Sequence, residues 1–141
     1  MTLVQARPTV AAGTVTERCA ARLGLLLAVL LLRLLPFRHT LRVVRLARRL
    51  GRRPLPPDRA EDLVTAVRHT GRHWPLRLAC LETSLASVLA AALLRRHLAW
   101  CLGARFVPPP VEYHAWAALP GHGPVGEYTV AGWHHHTALT I

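Results

Sequence analysis

The chain of 141 residues has no lysine, so all 18 of its basic side chains are arginines, and only seven acids oppose them. With alanine, leucine and proline also abundant, the bias matches a GC-rich coding sequence. Part of the net charge of +11 therefore reflects codon choice rather than binding. Cysteine is scarce: Cys19, Cys80 and Cys101 are an odd number without CxxC spacing, which excludes a disulfide framework and a zinc-finger pattern and fits a reducing cytoplasm. Long apolar runs are missing too. Leu23 to Leu32 spans ten residues between Arg22 and Arg33, about half of the roughly 20 that a bilayer-crossing helix needs. A signal peptide is not expected, because the run begins late, Glu17 precedes it and no small-residue cleavage site follows. The run reads as a buried or interfacial helix, which leaves weak contact with a membrane surface open. No internal repeat is present, and the alternation of aromatic and basic residues typical of a single-strand nucleic-acid groove is absent.

What is there is unevenly distributed. The length fits one domain with a real core. Residues 1 to 77 hold 15 arginines against four acids, while the remainder holds three of each. The leading half is suited to an anionic partner such as an acidic peptide, another protein, a nucleic acid or a membrane surface; a solvated arginine face is the plain alternative.

Periodicity predicts helices first and strands afterwards, an α+β architecture in which a central helix packs on a small antiparallel sheet. Residues 1–16 read as a flexible arm. An arginine-rich helical region follows over 17–55, with one helix from Glu17 to Leu35 that Pro36 ends and a second from Phe37 to Leu50. In the second helix Arg38, Arg42, Arg45 and Arg49, with Arg52 beyond it, fall in one stripe, and Leu41, Val44 and Ala47 or Leu50 can face inward. Arg52 to Pro57 reads as a linker. The core then occupies 56–141. Asp58 and Glu61 have capping-box spacing ahead of a helix carrying Leu63, Ala66, Val67 and Thr70. Pro75 suits the first position of a helix running to about Arg96. Strands are expected at His97 to Gly103, Glu112 to Leu119, Val125 to Val130 and Thr137 to Ile141, with a proline-rich loop at 105–111.

Three residues on successive elements carry the chemistry. Cys80 falls near the start of the central helix, where free N–H groups and the positive end of the dipole favour a thiolate, and Arg77 and His73 act in the same sense. Alternation puts His114 on one face with Trp116 and Ala118, and Glu127 follows after a glycine turn. A thiol, a base and an acid that holds the base's tautomer form a nucleophilic constellation. Taken singly, each has a bland reading: a small buried hydrophobe, a histidine satisfied beside a tryptophan, a solvated acid. Trp74 is a candidate wall of the cleft or an ordinary core aromatic. His134, His135 and His136 are adjacent on a strand and point alternately to opposite faces, so no metal site is read there and no cofactor is expected.

The segment Cys80-Leu81-Glu82-Thr83-Ser84-Leu85-Ala86, then Leu94-Arg95-Arg96 and His114-Ala115-Trp116, preceded by Leu34-Leu35-Pro36-Phe37-Arg38, resembles the transglutaminase-like leader peptidases of lasso-peptide biosynthesis, the family of the microcin-processing protein. The resemblance is to the short, split form without a fused leader-recognition domain and covers the chain from about residue 20. It implies a transglutaminase-like, papain-like core and a cytoplasmic cysteine protease that cuts the leader from a ribosomally made precursor peptide. A separate leader-binding recognition protein would present that substrate, and an ATP-dependent lasso cyclase would receive the core peptide. Cys80 takes the nucleophile's place and His114 the base's. The family commonly has an aspartate about a dozen residues past the histidine; here the turn is one residue longer and Glu127 stands nearest. The rival from another class is a non-catalytic basic helical module that binds nucleic acid or a partner protein. A different thiol acyl-transfer enzyme is the third reading.

Overall fold

The computed structural model of the chain describes residues 13–106, 112–127 and 134–141. Its order is α1 (Val15–Leu34), α2 (Phe37–Leu50), β1 (Arg53–Pro54), α3 (Pro57–Arg72), α4 (Cys80–Leu93), β2 (Arg96–His97), β3 (Ala99–Phe106), β4 (Glu112–Leu119), β5 (Gly123–Pro124) and β6 (His134–Thr140). The expected α+β class is the observed one. A four-stranded antiparallel sheet in the order β5-β4-β3-β6 packs on α4, and β1 and β2 form a small parallel pair.

Helix α1 begins at a full capping box. The Thr14 hydroxyl accepts from Glu17 N–H at 3.2 Å, and the Glu17 carboxylate accepts from Thr14 N–H at 2.9 Å. Leu35 is extended and precedes Pro36, which separates α1 from α2. The apolar run divides by face. Gly24, Leu25, Ala28 and Val29 turn inward together with Ala20 and Ala21 before them, whereas Leu23, Leu26, Leu27, Leu30 and Leu34 are exposed on the other side. The glycine lets α1 lie directly on α4: a Cβ added at Gly24 would stand 2.6 Å from the carbonyl oxygen of Ala86.

Helix α4 is covered all round, with every residue from Ser84 to Ala91 buried. It begins at Cys80, five residues later than the proline predicted. Ala79 is extended, with φ −89° and ψ 176°, and its N–H is taken by the Glu82 carboxylate at 2.9 Å. That side-chain cap defines the start more strongly than the favourable φ of Pro75. The helix stops at Leu93 rather than Arg96 because Arg95 adopts the left-handed conformation at φ 57°. In α2, Thr40, Val44 and Ala47 are the buried residues and Leu50 is exposed.

Two other expectations are corrected. The proline-rich segment is no free linker: Arg53 and Pro54 pair with Arg96 and His97, Leu55 is buried, and the His97 ring nitrogen Nδ1 lies 3.0 Å from the Gly51 carbonyl. Asp58 does not cap α3, because Pro56 and Pro57 open that helix and leave Asp58 in the first turn, where its charge meets the dipole. Strand β3 reaches Phe106 and β6 starts at His134; the described part of the strand expected at Val125 to Val130 is not strand, β5 lying just before it at Gly123–Pro124, with Val125 N–H bonded to the Ala117 carbonyl. The arm from residue 1 to 12, the loop 107–111 and residues 128–130 lie outside the described residues.

Since α1 and α4 meet through a glycine, Gly24→Val forces the pair apart. Urea unfolding is expected to show a loss of about 1–3 kcal/mol, the usual cost of overpacking a close contact. Unchanged stability would mean that the helices have slack at this crossing.

Candidate active site

Cys80 is the first residue of α4. The N–H groups of a helix's first turn have no partner within the helix, so the sulfur sits where a negative charge is favoured. The helix is locked against the sheet by Trp100 on β3. Its indole N–H donates to the Ser84 hydroxyl at 2.9 Å in a fully buried contact. Ser84 and Ser87 look out of place in an apolar helix, and sequence reasoning gave neither a task. Ser84 registers α4 on the sheet, and Ser87 donates to the Thr83 carbonyl.

His114 is the third residue of β4 and, as alternation requires, shares a face with Trp116. Their rings stack with centroids 5.9 Å apart at 22°. That face is not the one that fills the main core. Ala117 and Leu119 join α4 and Trp100, whereas Trp116 and Ala118 pack with Ala99 and Cys101 in a second cluster. His114 nevertheless meets the helix start. Its imidazole is hydrogen-bonded to Cys80, and the N–H of Ala115 also donates to the sulfur, so the thiol lies along the β4 backbone.

Glu127 completes the line. Its Oε2 is 2.9 Å from His114 Nε2, which leaves Nδ1 for the sulfur, and its side chain is only 8% exposed. The residues expected to converge do converge: Cys80, His114 and Glu127 share a cavity of about 30 Å³ with Val64, Arg68 and Ser87 among its walls. That volume has room for about two water molecules. Arg68, on α3, was missed. Its Nη2 donates to Glu127 Oε1 at 2.9 Å, and its Nη1 donates to the carbonyl of Gly126. Nothing local in the sequence marks it, because the two partners are 59 residues apart. Trp74 packs against the main core and is not among the cavity's walls.

The electrostatics follow from these contacts. The hydrogen bond from His114 holds the Cys80 thiol below its ordinary range; burial opposes this, and the N–H of Ala115 adds to it. His114 is raised to about 9, first by its hydrogen bond to Cys80 and then by Glu127, against the opposing effect of burial. The contact between them therefore shifts both groups toward the thiolate–imidazolium form. Cys101 contrasts with this: burial pushes its thiol up. Among the described residues no three histidine, cysteine or acidic side chains converge as a metal site, and no helix is long and apolar enough to cross a membrane. The arginines of α2 are solvent-exposed, with Arg45, Arg48 and Arg49 bordering a groove beside Thr140 and Ile141.

A limiting dose of iodoacetamide at pH 7 is expected to alkylate Cys80 faster than Cys101 by on the order of tenfold or more, since the thiolate is the reacting form. Peptide mapping reads the result, and equal labelling would mean that the Cys80 thiol is not activated.

A family model described as the transglutaminase-like superfamily matches residues 23–139. No curated protein and no solved structure gives a significant match. A thiol at a helix start, hydrogen-bonded to a strand histidine inside a match of that extent, places the chain in its family: it belongs to the transglutaminase-like superfamily.

Proposed function

We propose that this protein is a cysteine peptidase that cuts the leader from a ribosomally synthesised lasso precursor and releases the core peptide to an ATP-dependent cyclase. The observation that carries the peptidase part is the continuous line from Cys80 through His114 to Glu127, with the sulfur at the first residue of α4. The superfamily supports thiol-based acyl chemistry. The narrower choice of substrate rests on the resemblance of the segments around Cys80, His114 and Pro36 to lasso leader peptidases.

In the proposed reaction the Cys80 thiolate attacks the carbonyl carbon of the last leader residue. Negative charge then gathers on that oxygen, and the Cys80 N–H at the helix start is the donor proposed to receive it. His114 gives its proton to the departing amine as the C–N bond breaks, leaving the leader as a thioester on Cys80. A water molecule, deprotonated by His114, attacks the thioester and returns the sulfur to its anionic form. Glu127 keeps the imidazole turned toward the sulfur and steadies its positive charge. The leader-binding protein and the cyclase are proposed partners, and the exposed arginine stripe of α2 offers either of them, or the precursor, a cationic docking face. Three free cysteines suit a cytoplasmic setting. A non-catalytic basic module would use the same arginines without the thiol.

Incubation with a candidate precursor and its leader-binding partner, followed by mass spectrometry, separates these readings. Leader with a free carboxylate is the expected product; an amine adduct at that carbonyl would indicate acyl transfer, and no cleavage would favour the binding module. Cys80→Ala should abolish release, and Glu127→Gln should slow it by roughly tenfold or more. The profile of kcat/KM against pH should be bell-shaped. Activity falls on the alkaline side near pH 9, where His114 loses the proton that the leaving amine needs. It falls on the acid side where the sulfur is protonated. These limits belong to the coupled pair rather than to either residue alone. A profile that keeps rising through pH 10 would overturn the assignment of His114 as the proton donor.

A further inference from the structure

We infer that Arg68 is a positioning residue for the active-site acid: its guanidinium fork, held out from α3, clamps the turn that carries Glu127 and so decides where the carboxylate meets His114. This rests on the reading of Cys80 and His114 as nucleophile and base.

Glu127 lies outside any helix or strand and follows Gly126, which adopts φ +68°. A glutamate in such a place has more rotatable bonds to immobilise than an aspartate. Here both ends of the problem are met by one side chain. Arg68 Nη2 takes Oε1 of Glu127, leaving Oε2 for His114, while Nη1 takes the backbone carbonyl of the preceding residue. The fork thus grips the turn and its side chain together, a geometry that a planar guanidinium matches and a single ammonium does not. The same α3 face shapes the turn's backbone. Val64, one helical turn before Arg68, stands so close to Gly126 that a Cβ there would come within 2.8 Å of its Cγ1. Arg68 keeps 40% of its side chain exposed while Glu127 keeps 8%, so the cation stays hydrated and only its contacts reach inward. Three elements distant in sequence then combine: α4 brings the sulfur, β4 the imidazole, and α3 through Arg68 the aim of the acid. The longer turn and the glutamate in place of the family's usual aspartate have a physical counterpart in this clamp.

The readout is the pH dependence of Cys80 alkylation by iodoacetamide in the full-length protein, which needs no peptide substrate and so stands apart from whether lasso leaders are cut. The charged groups gathered around that thiol are His114 from β4, Glu127 from the turn after β5 and Arg68 from α3. Arg68→Met is expected to move the alkylation midpoint up by roughly one pH unit, a tenfold loss of thiolate below the midpoint. In a Glu127→Gln background the same substitution should move it no further. Arg68→Lys keeps the charge and the aliphatic stem but loses the fork, and it should show the shift in part, which covers the case where Arg68→Met does not fold. An equal shift in both backgrounds would mean that Arg68 acts by charge or general structure rather than through the acid. A wild-type midpoint in Arg68→Lys would remove the need for a fork. Either result overturns the inference.

Discussion

Helix α4 has no solvent-facing side along its middle: from Ser84 to Ala91 it is enclosed by α1, α3 and the sheet. That enclosure constrains everything else. A helix buried on all sides cannot slide or rotate without opening cavities, so its first residue is held in place although Cys80 itself is only half-buried. Close contact at Gly24 sets one wall, and the indole of Trp100 bonded to Ser84 sets the other. The site's geometry is thus inherited from packing several turns away.

Within this frame the chemistry is a matter of shared protons. Cys80 and His114 shift in opposite directions for the same reason, since the hydrogen bond between them favours the thiolate and the imidazolium together. Glu127 strengthens the imidazolium and is itself held by a cation on its other oxygen. At Cys101 burial outweighs the Thr140 hydroxyl and the nearby Arg48, and the thiol is driven toward the neutral form. Two cysteines of one chain are pushed apart in reactivity by their surroundings, and no feature of the thiol group distinguishes them beforehand.

Much of the architecture was legible because it depends on local period and local stops. The change from helical to strand spacing predicts the α+β order, Pro36 marks the break between α1 and α2, and the limits of α2 and β4 fall where spacing puts them. The misreadings arise where another contact or backbone feature outweighs the signal that was read. Pro75 invites a helix, yet the Glu82 carboxylate starts it at Cys80. The prolines near Pro54 look like a linker until Arg96 and His97 pair with them. The leucines of α1 look alike in the sequence, but the close crossing with α4 at Gly24 buries Leu25 and leaves Leu23, Leu26, Leu27 and Leu30 exposed.

The sequence by itself determined which chemical groups are available, their order along the chain and the type of element that carries each, because these follow from composition and from periods of two and 3.6 residues. Only the tertiary structure decided that Cys80 and His114 touch, that Nε2 rather than Nδ1 faces Glu127, and that Arg68 on α3 holds the acid from the other side. Those outcomes depend on how closely helices and sheet approach and in which register, and that distance is set by side chains far from the site.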